Sequence, residues 1–293
     1  MVVFSPCLGE REAVGENGEP CMNASIGENG DAGENEHFQN YCPTWGARTA
    51  FWAGIFLTLA GAAAVGVDGP LAQWLQAPKA SPAPTHSPMV GKASSDSPAE
   101  SLRSRIPGDL KRLVTWSEGF GHAVGVLLVG FLIYQLAPGN RRRLVRAFCM
   151  ALGSGLVADG MKLLVGRIRP RAFDLGQPIL ESFSGFLPGL AGGSAGQSFP
   201  SAHTATAVGW ALALGWLYPR GRWTFVFLAF LVLCQRVESN AHFLSDTLVG
   251  AAVGCWVGGL FLPGGWLSRA FDRWENAAIR TPSAATTCQP PSQ

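Results

Sequence analysis

Apolar and polar positions in this chain separate by whole segments rather than by faces of a single element. Apolar runs occupy residues 50-67, 120-137, 147-165, 201-218, 223-237 and 243-263, with polar, glycine-rich or proline-rich stretches between them. A helix needs about 20 apolar residues to cross a bilayer core, and these runs come close to that length without a face set aside for water. The pattern predicts an all-α fold, a bundle of six transmembrane helices. The run at 223-237 is the weakest, because its uninterrupted part reaches only from Trp223 to Cys234, and it predicts a tilted or partly sunken helix.

The flanks differ in kind. Residues 1-47 are acidic and glycine-rich and repeat a short unit: Gly15-Glu16-Asn17-Gly18, Gly27-Glu28-Asn29-Gly30 and Gly33-Glu34-Asn35-Glu36. Such a stretch buries too little apolar surface to offset its ordering entropy, so a disordered tail is expected. It also lacks the basic start, apolar middle and small-residue cleavage site of a secretory signal. A membrane domain is expected over 48-266, with its chemistry in 110-263, and a cytoplasmic tail over 267-293. The stretch 78-109, rich in Pro, Ser and Lys, reads as a loop.

Composition agrees with the pattern. Hydrophobic residues make up 47% and charged residues 14% of the chain, against about 25% charged in a soluble domain. The net charge of +2 gives no basic stripe for nucleic acid. The seven cysteines form no C-x-x-C pair and no zinc spacing, and Cys149, Cys234 and Cys255 stand in apolar runs as small hydrophobes. Nothing in the sequence sets an oligomeric state.

Arginines in short loops prefer the cytoplasm. Arg141, Arg142, Arg143 and Arg146 precede the third run, Arg220 and Arg222 lie between the fourth and fifth, and Arg269, Arg273 and Arg280 follow the sixth. Both termini are then expected inside, and the segments 78-109, 166-200 and 237-242 outside. Lys111, Arg112, Arg167, Arg169 and Arg171 oppose that arrangement. The first two close a long loop, and the others are assigned a different task.

Three polar runs fall at the predicted outer end: Lys162 to Pro170; Phe199-Pro200-Ser201-Ala202-His203; and Arg236 to Asp246. Phosphoryl transfer needs cations around the equatorial oxygens, and Lys162, Arg169 and Arg236 supply three. Arginine binds phosphate bidentately and lysine as a point charge. Pro170 restricts Arg169 to extended backbone. Ser201 and Ala202 open a helix whose free N–H groups suit an anion, and Ser201 also suits an N-cap. His242 and Asp246, four apart, share a face if both are helical, so the carboxylate can fix the imidazole tautomer and leave the other nitrogen to attack phosphorus. A structural His–Asp bond between helices is the alternative. His203 suits the acid that protonates the leaving group and the base that later activates water. Asp159, one turn before Lys162, is expected to support it, and His122 to pack between helices. No metal or other cofactor is called for.

With these runs in place, the chain resembles the type 2 phosphatidic acid phosphatase and vanadium haloperoxidase superfamily, whose pattern is K-x6-RP, PSGH and SR-x5-H-x3-D. Six residues separate Lys162 from Arg169, five separate Arg236 from His242, and three separate His242 from Asp246. The resemblance implies phosphate binding by Lys162, Arg169, Ser201 and Arg236, with the Ala202 N–H beside them. It also implies acid and base work by His203, attack by His242 and orientation by Asp246, all on the helical core of that superfamily. Gln235 stands where the pattern has Ser, and Ala202 where it has Gly.

The expected activity is metal-independent hydrolysis of a lipid phosphomonoester or diphosphate through a phosphohistidine, on the extracytoplasmic face of the membrane. The partners expected are that lipid and the bilayer. A phosphotransferase would use the same residues. A transporter or channel with an ionisable pathway is the reading from another class; against it, the two halves show no repeat and the charges gather at one end.

Overall fold

The computed structural model describes residues 45-76, 108-187 and 193-276. Nearly all of the expected tail over 1-47, and the loop 78-109 up to residue 107, lie outside the described residues. The helices are α1 (Ala47–Gln76), α2 (Gly108–Trp116), α3 (Ala123–Leu136), α4 (Arg141–Leu164), α5 (Ala202–Leu217), α6 (Arg222–Glu238), α7 (Leu244–Phe261) and α8 (Ser268–Asn276).

Each of the six apolar runs forms a helix. Among the described residues, three segments are long and apolar enough to cross a membrane: Ala47–Gln76, Pro138–Leu164 and Leu244–Phe261. A fourth is added if Gly108–Gly121 and Ala123–Leu136, bent by 75° between them, count as one broken span. The expectation of six full spans is therefore met only in part. With 14, 16 and 17 residues, α3, α5 and α6 are shorter than the roughly 20 a span requires.

The first helix also exceeds its expected limits. It continues past Val67 through Asp68 and Pro70 to Gln76, because the carboxylate that interrupts the apolar run is buried inside the protein with partners of its own.

Helix α5 lies at the centre, packed on α4, α6 and α7, and α1 runs along α7. The interior is built largely of small residues, among them Ala147, Ala151, Ala205, Ala207, Ala213 and Ala252. Large apolar side chains such as Phe56, Leu128, Phe131, Leu156, Phe227 and Phe230 face outward. A soluble domain has the opposite arrangement; here small residues let helices approach while bulky ones meet lipid. At Gly250 a Cβ would come 2.4 Å from the Ser201 carbonyl oxygen, and at Gly254 2.7 Å from that of Ala205. These two glycines set α7 directly against the start of α5.

The chain between α4 and α5 departs from the all-α expectation. Strand β1 (Val165–Arg167) pairs antiparallel with β2 (Phe183–Phe186), and short 3-10 turns lie between them. At the opposite end of α4, buried Arg146 donates to the Ser268 hydroxyl at 2.9 Å and pairs with Asp272 at 3.0 Å. That contact anchors α8 within the segment expected as a tail.

Candidate active site

Every residue singled out for chemistry lies at the same end of the bundle. Lys162 closes α4, Arg169 lies in the following loop, Ser201, Ala202 and His203 begin α5, Arg236 closes α6, His242 occupies the turn before α7, and Asp246 lies in the first turn of α7.

The cations differ in their partners. Lys162 Nζ donates to Asp159 at 2.8 Å, so the expected support from Asp159 is present as an ion pair. Arg236 meets Glu118 at 2.6 Å and donates from Nε to Gln235 at 2.5 Å, while Gln235 donates to Glu118 at 3.1 Å. The residue departing from the family pattern thus completes a bracket around Arg236. Glu118 was not singled out in the sequence; only the preference of buried arginine for a carboxylate hints at it.

Arg169 has the extended backbone that Pro170 requires (φ −68°, ψ 149°). Among the described residues, its Nε has no hydrogen-bond partner and its guanidinium pairs with no carboxylate. Burial first, then Arg171 and Arg236, pull its pKa below the ordinary arginine value. An arriving anion would relieve that strain between charges.

Ser201 caps α5 through its hydroxyl, which accepts from the Thr204 hydroxyl at 3.0 Å and faces the Thr204 N–H at 3.5 Å. Its own N–H donates to the Asp246 carbonyl at 3.0 Å. Ala202 is buried in the first turn beside it. The His203 ring lies 5.6 Å from that of His122. His122 is the N-cap of α3, its Nδ1 accepting from the Val124 N–H at 3.3 Å, rather than a packing residue within the helix.

The relation of His242 to Asp246 differs from the expectation. Helix α7 starts at Leu244, after His242, because Asp246 turns back to accept from the Phe243 N–H at 2.9 Å. The two side chains therefore do not share a helical face, and His242 Nδ1 is 3.9 Å from Asp246 Oδ2. Nδ1 instead stands 2.7 Å from the Ser198 carbonyl oxygen. A carbonyl only accepts, so Nδ1 carries the proton and Nε2 of the neutral ring keeps its lone pair. Asp246 remains connected, since the Ser198 hydroxyl donates to its Oδ2 at 2.6 Å. The imidazole sits in the turn, outside the helices. Burial, then Arg169 and Lys162, hold its pKa well below the ordinary histidine value, although the bond to Ser198 works the other way. A narrow cleft lined by Leu71, Leu75, Pro170, Val237 and Leu244 opens beside it.

Two further groups have no specific role legible in the sequence. Arg167 is wholly buried, ion-paired to both Asp68 and Asp246. Asp68 comes from α1, far from any motif, and its only signal was a carboxylate within an apolar segment.

Comparison with known proteins fits this arrangement. Residues 142–269 match the family described as the PAP2 superfamily. The lipid A 1-phosphatase of Rhizobium johnstonii is 31% identical over 170 residues, spanning 52% of this chain and 67% of that protein. That of Rhizobium etli is 31% identical over 170 residues, spanning 52% and 70%. That of Porphyromonas gingivalis is 36% identical over 147 residues, spanning 46% of this chain and 30% of its own length. No solved structure matches.

Proposed function

Because the chain belongs to the PAP2 superfamily, we propose that His242 is the nucleophile of a phosphatase that cleaves a phosphomonoester or diphosphate from a lipid headgroup. It is a membrane lipid phosphatase, and the substrate named for its relatives, the 1-phosphate of lipid A, is the first candidate. The observation that carries the mechanism is the bond from His242 Nδ1 to the Ser198 carbonyl, which leaves Nε2 unprotonated among three cations.

In the first step Nε2 forms a bond to phosphorus while the bond from phosphorus to the lipid oxygen breaks. The departing oxygen takes its proton from His203. Lys162, Arg169 and Arg236 carry the charge of the equatorial oxygens. To do so the phosphate exchanges with Asp159 and Glu118, which hold two of these cations. Water then attacks the phosphohistidine, gives its proton to His203, and releases phosphate. Side-chain cations meet the charge throughout, so no metal takes part.

All six apolar helices are placed in the bilayer, the shorter α3, α5 and α6 included. The outward faces of Phe131 and Leu132 on α3 and of Phe227 and Phe230 on α6 support this placement. The arginines at the opposite end of the bundle favour cytoplasmic termini and an extracytoplasmic site.

Phosphate release by detergent-purified protein, measured over a panel that includes lipid A, phosphatidic acid and an isoprenoid diphosphate, tests this function. Release from at least one lipid, abolished by His242→Ala and unaffected by EDTA, is expected. Full activity of His242→Ala would contradict it.

A further inference from the structure

Arg167 lies within the run from Lys162 to Pro170 but is not one of the three cations assigned to phosphate, and among the described residues it stands between two buried carboxylates. Its side chain and those of Asp68 and Asp246 are 0% exposed. Nη2 donates to Asp68 at 2.8 Å; Nη1 donates to the Ser245 hydroxyl at 2.7 Å and also to Asp246; Nε donates to the Ser182 hydroxyl at 3.1 Å. The rings of Phe183 and Phe243 lie 4.4 and 4.3 Å from the guanidinium carbon. Asp68 also accepts from the Ser245 N–H at 3.0 Å and from its hydroxyl.

One cation and two carboxylates out of water are an expensive way to join α1 to α7, and apolar packing would join them as well. What the charges add is direction. With Oδ1 of Asp246 fixed by Arg167, Oδ2 is left to receive the Ser198 hydroxyl and the Phe243 N–H. Those bonds frame the turn in which Ser198 holds His242.

We propose that Arg167 and Asp68 are positioning residues for the reaction, acting on the nucleophile through Asp246 and Ser198. The inference rests on the reading of His242 as the nucleophile. It extends the working site beyond the matched residues 142–269, because Asp68 lies on α1. Arg167 serves two carboxylates, so its removal leaves two buried negative charges together. One of them then takes a proton. A protonated Asp246 donates where it should accept, and the Ser198 carbonyl loses its fixed place against Nδ1. Removing the charge of Asp68 as well lifts that conflict.

The test compares full-length wild type, Arg167→Met, Asp68→Asn, the double variant and His242→Ala, purified in detergent. Each is assayed for hydrolysis of dioctanoyl phosphatidic acid, inhibition by orthovanadate and thermal unfolding. Arg167→Met should lose about a hundredfold in kcat, with KM and vanadate inhibition changed by less than about threefold. The double variant should recover about tenfold of that loss. A purely structural joint predicts lower unfolding temperatures with unchanged kcat per folded molecule, and a double variant no faster than Arg167→Met. Either result overturns the proposal. Should Arg167→Met not fold, Arg167→Lys and Asp68→Asn carry the test through the same division of kcat from KM. An active His242→Ala would instead remove the nucleophile assignment, whatever the other variants show.

Discussion

His242 Nδ1 lies 2.7 Å from the carbonyl oxygen of Ser198, and this contact sets the state of the ring. A backbone carbonyl cannot become a donor, so the tautomer with Nε2 free holds at any pH where the ring is neutral. Asp246 acts one step further back, through the Ser198 hydroxyl and the Phe243 N–H.

Asp246→Asn follows from that chain. An amide offers one oxygen where the carboxylate accepts from Ser198 and Phe243 on one side and Arg167 on the other, so the turn holding His242 shifts. Displacement of about 1 Å at a reacting group costs about a hundredfold. The expected result of steady-state kinetics is a loss of that size in kcat with KM nearly unchanged. A change confined to KM would remove the orienting role.

His203→Ala separates acid catalysis from binding. General acid assistance contributes about 10²- to 10⁴-fold when the leaving group is a poor one. A lipid alkoxide is poor, whereas p-nitrophenolate leaves without a proton. The variant should therefore lose far more in kcat/KM, which excludes the hydrolysis of the phosphohistidine common to both substrates, on a lipid phosphate than on p-nitrophenyl phosphate. Equal losses on both would indicate that His203 binds the phosphate rather than protonating the leaving oxygen.

Depression of the His242 pKa also links stability to pH. The folded ring stays neutral below 6.5, the ordinary value, while the unfolded ring gains a proton there. Stability is fully retained above that value and falls as pH drops from it towards the depressed folded pKa. Thermal unfolding of wild type and His242→Asn at pH 7 and pH 5 checks this. The fall in unfolding temperature should be smaller in the variant, which has no ring to protonate.

The sequence made the phosphate chemistry legible because spacing within each run is local. Lys162 to Arg169, Arg236 to His242 and His242 to Asp246 all fall within one or two turns of chain, and the helices bring the three runs to one end. The apolar runs were likewise enough to find every long helix among the described residues. It misplaced the end of α1, since a carboxylate in an apolar run reads as a boundary until its counter-ion is known. That counter-ion, Arg167, is 99 residues away, and its place in the cationic run beside Lys162 and Arg169 gives no sign of a partner on α1. Ser198 gave no signal because its contact to His242 comes from the backbone, which no side-chain pattern records. The geometry of His242 and Asp246 was misjudged for a related reason: capping by Asp246 starts α7 after the histidine, and four-residue spacing says nothing about where a helix begins.

The central claim is that phosphorus becomes bonded to His242. Rapid quenching of wild type during turnover of a lipid phosphate, followed by digestion and mass spectrometry under alkaline conditions that preserve phosphohistidine, tests it directly. Phosphate on the peptide bearing His242, forming and decaying at rates compatible with kcat, is the predicted result. Steady turnover with that peptide unmodified, or with phosphate on another residue, would contradict it.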